Sequence, residues 1–356
     1  MKYSRVVVKI GSNVLATEEG LPDETHIAHL VEQIAALRNC GLQVLLVSSG
    51  AVASARGRVQ LADGTDQVTR RQVLAAVGQI QLLQLYHRLF EQQGITIAQV
   101  LVTKDDFRDR NHYFNIKNCF SGLLQHHILP IINENDVVSV TELMFTDNDE
   151  LAGLVASMMD ADALLILSNV EGIYTGHPQH PESRLIEEVS AEMNLSRFIS
   201  TEKSGFGRGG MLTKTNIARR VAQLGIGVHI VNGKRPHILT DVLLQNLHRG
   251  TYFKPHKKVS GIKKRIAHSR DFAKGKVFLN QGAVDAITSE RAISLLPVGV
   301  THIEGQFEKG DLVQIYNPQG ELIGVGVAQY GAEKAKERIG KKGQKPLVHY
   351  DYLFIE

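Results

Sequence analysis

The first candidate functional residue is a lysine that follows an apolar run near the start of the chain. Val6, Val7 and Val8 are β-branched, and such a run predicts a buried strand. Lys9 stands at its carboxyl end, just before a glycine turn at Gly11. Ligands of open α/β sheets bind beyond the carboxyl ends of the strands, and burying an unpaired ammonium group is costly. We therefore expect Lys9 to contact an anion or a carboxylate, although a strand-end lysine that reaches solvent is an equally simple interpretation.

A second predicted strand ends in a turn of small residues. The apolar segment 43–47 is followed by Ser48, Ser49, Gly50 and Ala51, and a helix is predicted to start at this turn. Backbone N–H groups at such a strand-to-helix turn attract a bound anion. A tight turn with an N-cap serine would produce the same pattern, so both interpretations stay open.

Two polar segments follow farther along the chain. The predicted strand 128–132 ends in four consecutive polar residues, Asn133 to Asp136. The segment 147–150, Asp-Asn-Asp-Glu, precedes the predicted helix 151–159. Acidic residues in a first turn complement the helix dipole, so capping is the simplest interpretation. Three acids and an asparagine exceed what capping requires, which indicates a binding or catalytic role for part of this segment.

The glycine-rich segment 204–214 contains the highest density of candidate features. Its spacing matches G-x-G-x-x-G formally, but no clear strand precedes it, and Ile230 stands where a dinucleotide-binding fold needs an acid. Met211 replaces the lysine of a P-loop, which excludes that motif too. The segment leads into a predicted helix, 213–224, with Lys214 in its first turn. Glycines allow close backbone approach to phosphates and Lys214 adds a cation, although a flexible loop also fits the pattern.

These segments fit one architecture. Strands alternate with helices through the first part of the chain, which predicts an α/β fold with a mainly parallel sheet covered on both faces, a three-layer αβα sandwich. The segment 103–110 is predicted as a charged loop. Short apolar runs separated by glycines over 272–356 predict a small β-barrel. The basic segment 254–271 is predicted as a linker, so the predicted domains are 1–253 and 272–356.

Composition limits the classes of function. The chain has 356 residues, and its net charge of +3 combines 23 basic and 26 acidic residues over 1–253 with 17 and 11 over 254–356. This asymmetry indicates different partners for the two parts. No apolar run approaches the ~18 residues of a membrane span, and no signal-peptide pattern follows Met1. Cys40 and Cys119 lack a metal-ligand spacing, and with this cysteine usage we expect a cytoplasmic protein.

Five segments together resemble the amino-acid kinase family. They are VVVKIGSNVL at 6–15, VSSGAVA at 47–53, INEND at 132–136, DNDELA at 147–152 and GRGGMLTK at 207–214. The resemblance is strongest to members that phosphorylate glutamate. It implies transfer of the γ-phosphoryl group of ATP to the side-chain carboxylate of L-glutamate, which yields γ-glutamyl phosphate at the entry to proline biosynthesis. A kinase for another amino acid is an alternative of the same class.

The resemblance implies roles for residues in these segments. Lys9 and Lys214 are expected to flank the transferring phosphoryl group, and Asp149 is expected to hold both lysines in place. The acceptor carboxylate is already ionised at pH 7, so no general base is needed. Asp136 is expected to accept a hydrogen bond from the α-ammonium group of glutamate. The glutamate site implied by the resemblance consists of Ser49, Gly50, Ala51, Asp136 and Asn148.

The ATP site implied by the resemblance lies at the fifth segment and after the predicted strand 163–167. Its residues are Lys9, Ser168, Asn169, Arg208, Gly209, Gly210, Met211, Leu212, Thr213 and Lys214. Family members often carry an aspartate at the position of Asn169 and a small polar residue at that of Arg208. Asn169 lacks that charge, whereas Arg208 adds a cation that can contact a phosphate. Mg²⁺ is expected to accompany ATP, and no protein ligand for it is assigned.

The C-terminal part resembles a PUA domain through the patterns at 294–299 and 307–311. PUA domains often bind RNA, and the basic charge agrees with this. A structural or regulatory appendage is favoured, and an RNA-binding or RNA-modification protein stays the alternative function from a different class. We also expect a homo-oligomer and feedback inhibition by proline, with inhibitor contacts near the glutamate site and the segment 103–110.

Overall fold

The computed structural model divides the chain into two compact units, Met1–Lys258 and Val259–Glu356. The structure describes residues 2–139, 145, 147–176, 180, 182–190, 193, 195, 210–256, 260–268, 273–289 and 293–355. The segment predicted as a linker contains a helix, Gly261–His268, which lies within the second unit. Ile266 and Ala267 of this helix are buried, so the basic stretch has an apolar face. The predicted domain bounds at 253 and 272 remain predictions.

In the described part of the first unit, eight strands form one sheet. They are β1 (Arg5–Ile10), β2 (Gln43–Ser48), β3 (Ile97–Val102), β4 (Leu129–Glu134), β5 (Ala163–Ser168), β6 (Glu188–Val189), β7 (Gly227–Asn232) and β8 (Thr251–Phe253). Their order is β3-β4-β2-β1-β5-β7-β8-β6, and only β7 and β8 pair antiparallel. Lys9 is near the centre of the sheet, because it pairs with Val47 on one side and with Ile166 on the other.

Helices cover both faces of this sheet. They are α1 (Ser12–Leu15), α2 (Glu24–Asn39), α3 (Ala51–Ser54), α4 (Gln67–Gln92), α5 (Lys104–Arg108), α6 (Arg110–Gln125), α7 (Asn148–Met158), α8 (Met211–Gln223) and α9 (Ile238–Leu243). Val7 joins a core with residues of α6, α7 and α8, while Val6 and Val8 join a core with residues of α2, α4 and α9. A strand buried on both faces needs a continuous apolar run. The predicted three-layer αβα sandwich with a mainly parallel sheet is confirmed.

The segment 103–110, predicted as a charged loop, contains the helix α5. Its start is set by a capping box, in which the Asp106 carboxylate accepts hydrogen bonds from Thr103 N at 2.6 Å and Thr103 Oγ1 at 2.8 Å. The prediction of a loop was wrong. A helix of five residues is too short to show the repeated apolar spacing by which helices are predicted from sequence.

In the described part of the second unit, five strands form a separate sheet. They are β9 (Gly275–Leu279), β10 (Val300–Gly305), β11 (Leu312–Tyr316), β12 (Leu322–Ala328) and β13 (Val348–Ile355), with helices α10 (Gly261–His268), α11 (Gln281–Thr288) and α12 (Ala332–Arg338). The order is β10-β9-β11-β12-β13, and β9 and β11 are its parallel pair. Val277, Phe307 and Val313 belong to its own apolar core. No helix within the described residues has the length and apolar character needed to cross a bilayer.

Candidate active site

The predicted site residues converge where four neighbouring strands end. Strands β4, β2, β1 and β5 are adjacent and parallel, so their carboxyl ends share one edge of the sheet. A cavity of about 640 Å³ opens at this edge. The polar side chains that line it include Ser49, Arg71, Glu134, Asp136, Asp147 and Asn148. This arrangement matches the general position of ligand sites in open α/β sheets.

Two lysines and one aspartate form a buried cluster at this edge. Lys9 Nζ lies 2.5 Å from Asp149 Oδ1, and Lys214 Nζ lies 2.6 Å from Asp149 Oδ2. Burial alone would raise the pKa of Asp149, but the two ammonium groups outweigh burial and hold that pKa well below its usual range. Burial acts to lower the pKa of Lys214, yet Asp149 and Asp147 raise it above its usual value. The three predicted catalytic residues are thus in direct contact, and their roles remain predictions.

Asp147 lies beside this cluster, and sequence reasoning assigned it no role. Its Oδ1 caps α7 by accepting hydrogen bonds from Asp149 N at 2.8 Å and Glu150 N at 3.2 Å. Its Oδ2 is buried and has no hydrogen-bond partner among the described residues. Burial, reinforced by the charge of Asp149, raises the pKa of Asp147 to about 6. Asp147 therefore offers one carboxylate oxygen to a cation that a ligand brings.

Ser49 and Asn148, two of the predicted glutamate-binding residues, line the cavity and belong to one hydrogen-bonded network. Asn148 Nδ2 donates hydrogen bonds to Ser49 Oγ at 2.8 Å and to Asn133 Oδ1 at 3.0 Å. These bonds join the start of α7 to the turn after β2 and to the end of β4. Asn133 was not predicted as a site residue, although it belongs to the polar run that the sequence analysis singled out.

The turn at Gly50 is held by close backbone packing. Gly50 has a φ of +102°, in the left-handed region that favours glycine. Ala51 then begins α3, and α4 packs so closely on it that a Cβ atom at Gly78 would lie 1.7 Å from the Ala51 carbonyl oxygen. Any larger residue at position 78 would displace α3. The backbone N–H groups of Gly50 and Ala51 are therefore held in fixed positions, and the anion contact expected of them remains a prediction.

A second charged cluster lies at the end of β4. Arg71 of α4 contacts Asp136 through Nη2, and the same atom lies 3.4 Å from Glu134 Oε2. Burial, reinforced by the charge of Asp136, raises the pKa of Glu134 to about 7. Burial also raises the pKa of Asp136, although Arg71 opposes this shift. Asp136 was predicted from the sequence, whereas Arg71 and Glu134 were missed. The polar run flagged Glu134, but no local pattern connects Arg71 with this strand.

The predicted ATP-binding residues lie at the end of β5 and at the start of α8. Ser168 is buried, and Asn169 lines the cavity. Gly210 is the N-cap residue of α8, which begins two residues before the predicted start. The first turn of this helix contains Met211, Leu212, Thr213 and Lys214. Arg208 and Gly209 lie outside the described residues. Lys9 and Lys214 contact Asp149, as described above. For the other described residues of this set, only their position supports the predicted ATP-binding role.

The geometry is suited to a site that transfers an anionic group. Two cations held on one buried carboxylate can stabilise the charge of a transferring phosphoryl group without reorganising during the reaction. Polar side chains across the cavity can orient an acceptor. Fold and site together define the class of protein, an α/β phosphotransferase.

Comparison with known proteins identifies the family. The family model for the amino acid kinase family matches residues 4–232, and that for the PUA domain matches residues 275–350. The chain belongs to the amino acid kinase family, as its sequence segments predicted. A glutamate 5-kinase from Bacteroides thetaiotaomicron is 53% identical to it, over 100% of this chain and 99% of its own length. A glutamate 5-kinase from Chlorobaculum tepidum is 50% identical to it, over 99% of this chain and 98% of the length of that kinase.

Solved structures of lower sequence identity share the fold of the first unit. The match to a UMP kinase from Bacillus anthracis covers 71% of this chain and 96% of the UMP kinase chain, with a TM-score of 0.51 and 17% sequence identity. The match to an isopentenyl phosphate kinase from T. acidophilum covers 70% of this chain and 100% of that kinase chain, with a TM-score of 0.51 and 14% sequence identity. At these identities the likeness establishes the fold and carries no information about the substrate.

Proposed function

We propose that this protein transfers the γ-phosphoryl group of ATP to the side-chain carboxylate of L-glutamate, the first step of proline biosynthesis. A carboxylate oxygen of glutamate forms a bond to the γ-phosphorus, and the bond from that phosphorus to the β–γ bridging oxygen breaks. The products are γ-glutamyl phosphate and ADP. Relatives that are 53% and 50% identical over nearly the whole chain support this reaction over the RNA-binding alternative.

The observation that carries the proposal is the contact of Lys9 and Lys214 with opposite oxygens of Asp149. One lysine comes from a strand and the other from a helix, and the shared carboxylate sets the distance between them. Cations that are fixed before the substrate binds stabilise the phosphoryl oxygens in the transition state. The acceptor carboxylate is ionised at neutral pH, so the reaction needs positioning and positive charge rather than a general base.

The polar lining of the cavity fits the amino-acid end of glutamate. Asp136 supplies a carboxylate for the α-ammonium group, and Ser49 and Asn148 supply polar side chains that are already hydrogen-bonded to each other. Gly50 and Ala51 supply backbone N–H groups on a turn held by α4. Glutamate bound in this way would direct its side-chain carboxylate towards the two lysines.

ATP is proposed to bind at the end of β5 and the start of α8, with Mg²⁺ as its companion ion. Mg²⁺ in such sites usually binds one or two carboxylates together with substrate phosphates. Asp147 fits as one ligand, because its buried Oδ2 has no partner among the described residues and the residue lines the cavity. The bound ion would neutralise part of the phosphate charge.

ATP turnover with a panel of amino acids tests the proposal. We expect ADP release with L-glutamate and little with L-aspartate, whose side chain is one methylene shorter. N-Acetylglutamate should also be a poor substrate, because acetylation removes the ammonium group assigned to Asp136. Efficient turnover of N-acetylglutamate would contradict that assignment. Strong RNA binding without any amino-acid-dependent turnover would favour the alternative function.

We further propose that proline inhibits the enzyme from a site near the glutamate residues and α5. An ion pair supports this placement, since Lys104 Nζ of α5 lies 3.0 Å from Glu150 Oε1. The pair joins α5 to the first turn of α7, which also contains Asn148. Steady-state kinetics with both ligands test the idea, because proline bound at this place should raise the KM for glutamate.

A homo-oligomer and a cytoplasmic location complete the proposal. Exposed apolar side chains occur on α4 and β3, where Ile80 is 59% exposed and Leu101 is 36% exposed. Contiguous exposed apolar surface often marks a protein interface, and light scattering would measure the oligomeric state. The proposed location rests on the cysteine usage of the sequence, in which Cys40 and Cys119 are exposed free thiols.

A further inference from the structure

The turn after β7 lies at the edge of the sheet where the cavity opens. Strand β7 is parallel to β5 and adjacent to it, and its last residue, Asn232, pairs with Ser168 at the end of β5. Lys234 follows two residues later. Lys234 and Asn169 both line the cavity. The sequence analysis assigned no role to Lys234, so the structure adds a basic residue to this edge.

A shared carboxylate ties this turn to the turn after β5. Asn232 Oδ1 accepts a hydrogen bond from Lys234 N at 2.9 Å, and Asn232 Nδ2 donates one to Glu171 Oε1 at 2.9 Å. The other oxygen of this carboxylate, Glu171 Oε2, lies 2.6 Å from Arg235 Nε. The side chains on either side of Lys234 in space are thus engaged with Glu171, and they fix the backbone from which Lys234 extends.

Close packing at Gly233 holds the same turn beside α1. A Cβ atom at Gly233 would lie 2.7 Å from Val14 Cγ1 and 2.9 Å from Leu167 Cβ, so any larger residue would displace the turn. Gly233 N also donates a hydrogen bond to the Ser168 carbonyl oxygen at 2.8 Å. Because α1 follows directly after β1 and Lys9, this packing places Lys234 near the start of the chain's first strand-to-helix turn.

Lys234 is a cation without an acidic partner in the described part of the chain. Its side chain is exposed, and no carboxylate of a described residue lies at ion-pair distance from its ammonium group. Its neighbour Arg235 is paired with Glu171. A cation whose backbone is fixed and whose charge is unpaired is available to an anionic ligand in the cavity.

The order of the strands indicates which ligand Lys234 faces. Strand β7 is next to β5, whose end is the proposed ATP site, and it is four positions from β4, whose end carries Asp136. Neighbouring strands lie about 4.8 Å apart, which separates the ends of β7 and β4 by roughly 19 Å. Lys234 therefore belongs to the ATP end of the cavity rather than to the ammonium end of glutamate.

We propose that Lys234 binds a phosphate of ATP that does not react, the α- or the β-phosphate, as a third cation of the site. The inference rests on the proposed function and deepens it, because it adds a residue to the ATP site. Lys9 and Lys214 act on the transferring γ-phosphoryl group, whereas Lys234 lies one strand beyond β5. Lysine binds phosphate as a point charge, so Lys234 contributes to the affinity for the nucleotide.

Titration calorimetry of the full chain with Mg²⁺ and adenine nucleotides tests the inference. Lys234→Gln should bind ADP and a non-hydrolysable ATP analogue roughly 10-fold more weakly than the unmodified protein, as expected for one charged hydrogen bond. Adenosine, which has no phosphate, should bind equally to both proteins. In steady-state turnover the KM for ATP should rise by a similar factor, while kcat and the KM for glutamate stay near their original values.

Two further variants separate charge from structure. Lys234→Arg keeps the positive charge and should restore most of the affinity for ADP. Lys254→Gln is the matched control, because Lys254 follows β8, pairs with Glu188 at 2.7 Å and is not among the described residues that line the cavity. Its affinity for ADP should equal that of the unmodified protein.

Unchanged affinity for ADP in Lys234→Gln would overturn the inference and leave the kinase function standing. Weaker binding of the ATP analogue alone would also overturn it, because the contact would then be with the γ-phosphate. An increase confined to the KM for glutamate would overturn it too, since Lys234 would then face the other substrate. If the unmodified protein neither binds adenine nucleotides nor turns over ATP with glutamate, the proposed function fails, and the inference falls with it.

Discussion

Two charged clusters at the carboxyl ends of the strands use similar side chains in opposite proportions. In one, two lysines share Asp149, and in the other, Asp136 and Glu134 share Arg71. Burial acts to raise the carboxyl pKa in both. Two ammonium groups overcome this effect at Asp149, whereas one guanidinium group does not overcome it at Glu134 or Asp136.

Under the proposed function, these proportions suit a different ligand group at each cluster. The two lysines would face the anionic phosphoryl group, and Asp136 would face the ammonium group of glutamate. Two clusters of this kind would orient an amino acid that has an ammonium group at one end and a carboxylate at the other. Substitutions in the two clusters should therefore have different kinetic signatures.

Loss of the shared aspartate should have the largest effect. Asp149→Asn leaves two buried ammonium groups without their carboxylate, and breaking a buried pair costs about 3–5 kcal/mol of unfolding free energy. The kcat should fall by roughly 10³-fold or more, because neither lysine stays in place. Denaturant unfolding and steady-state turnover measure the two effects. Asp160→Asn, which changes a half-exposed partner of Lys117 just after the same helix, is the control and should alter neither quantity.

Loss of one lysine should have the next largest effect. Lys214→Ala removes one of the two cations, and kcat should fall by roughly 10²–10³, as expected for one charge-stabilising donor. The KM for glutamate should change little, because the proposed partner of the ammonium group is Asp136 and not this lysine. Lys117→Ala, at a surface ion pair, provides the control. A kcat near that of the unmodified protein would exclude Lys214 from transition-state stabilisation.

A change in the carboxylate cluster should act on glutamate affinity instead. Asp136→Ala removes a charged hydrogen-bond acceptor, and the KM for glutamate should rise by roughly 10–100-fold. The KM for ATP should stay close to its original value. Initial rates with each substrate varied in turn measure both constants. Equal increases in both would indicate general misfolding and would remove the contrast between the clusters.

The pH dependence of stability should show the carboxylate cluster directly. The pKa of Glu134 is about 7 in the folded protein against a usual 4.5, so the folded chain binds more protons than the unfolded chain between these values. Stability from this group is complete below pH 4.5 and is lost as the pH rises through 7. Glu134→Gln should therefore gain on the order of 1–3 kcal/mol relative to the original protein between pH 5 and pH 8.

Denaturant unfolding followed by circular dichroism at the two pH values measures this difference. The comparison is made between the variant and the unmodified chain at each pH, which cancels the titration of all other groups. A difference that stays constant with pH would show that Glu134 ionises normally in the folded protein.

Removal of the second unit should have the smallest effect on either cluster. Both clusters lie in Met1–Lys258, which has its own apolar cores. A chain that ends at Lys258 should keep glutamate-dependent turnover near the full-length rate, and proline should still inhibit it. Loss of turnover in a folded truncated chain would show that the second unit supports the site. If turnover survives but proline no longer inhibits it, only the proposed position of the proline site would be contradicted.

Much of the fold was predictable from local patterns in the chain. The apolar run that precedes Lys9 and the alternation of strands with helices indicated the sheet and its two covered faces, because periodicity is a property of neighbouring residues. The polar run at the end of β4 and the acidic segment 147–150 likewise indicated where chemistry would occur. Helix α5 escaped prediction because its start depends on one capping pair, Thr103 and Asp106, rather than on an apolar period.

The tertiary structure decided which of these features meet. Arg71 contacts Asp136 because α4 packs over the end of β4, and helical periodicity indicates the buried face of α4 without indicating which polar residue lies at its rim. The need for glycine at position 78 arises from the approach of α3, and the raised pKa of Glu134 arises from burial beside a second carboxylate. Each of these properties depends on contacts between residues far apart in the chain, and such contacts exist only once the elements have packed.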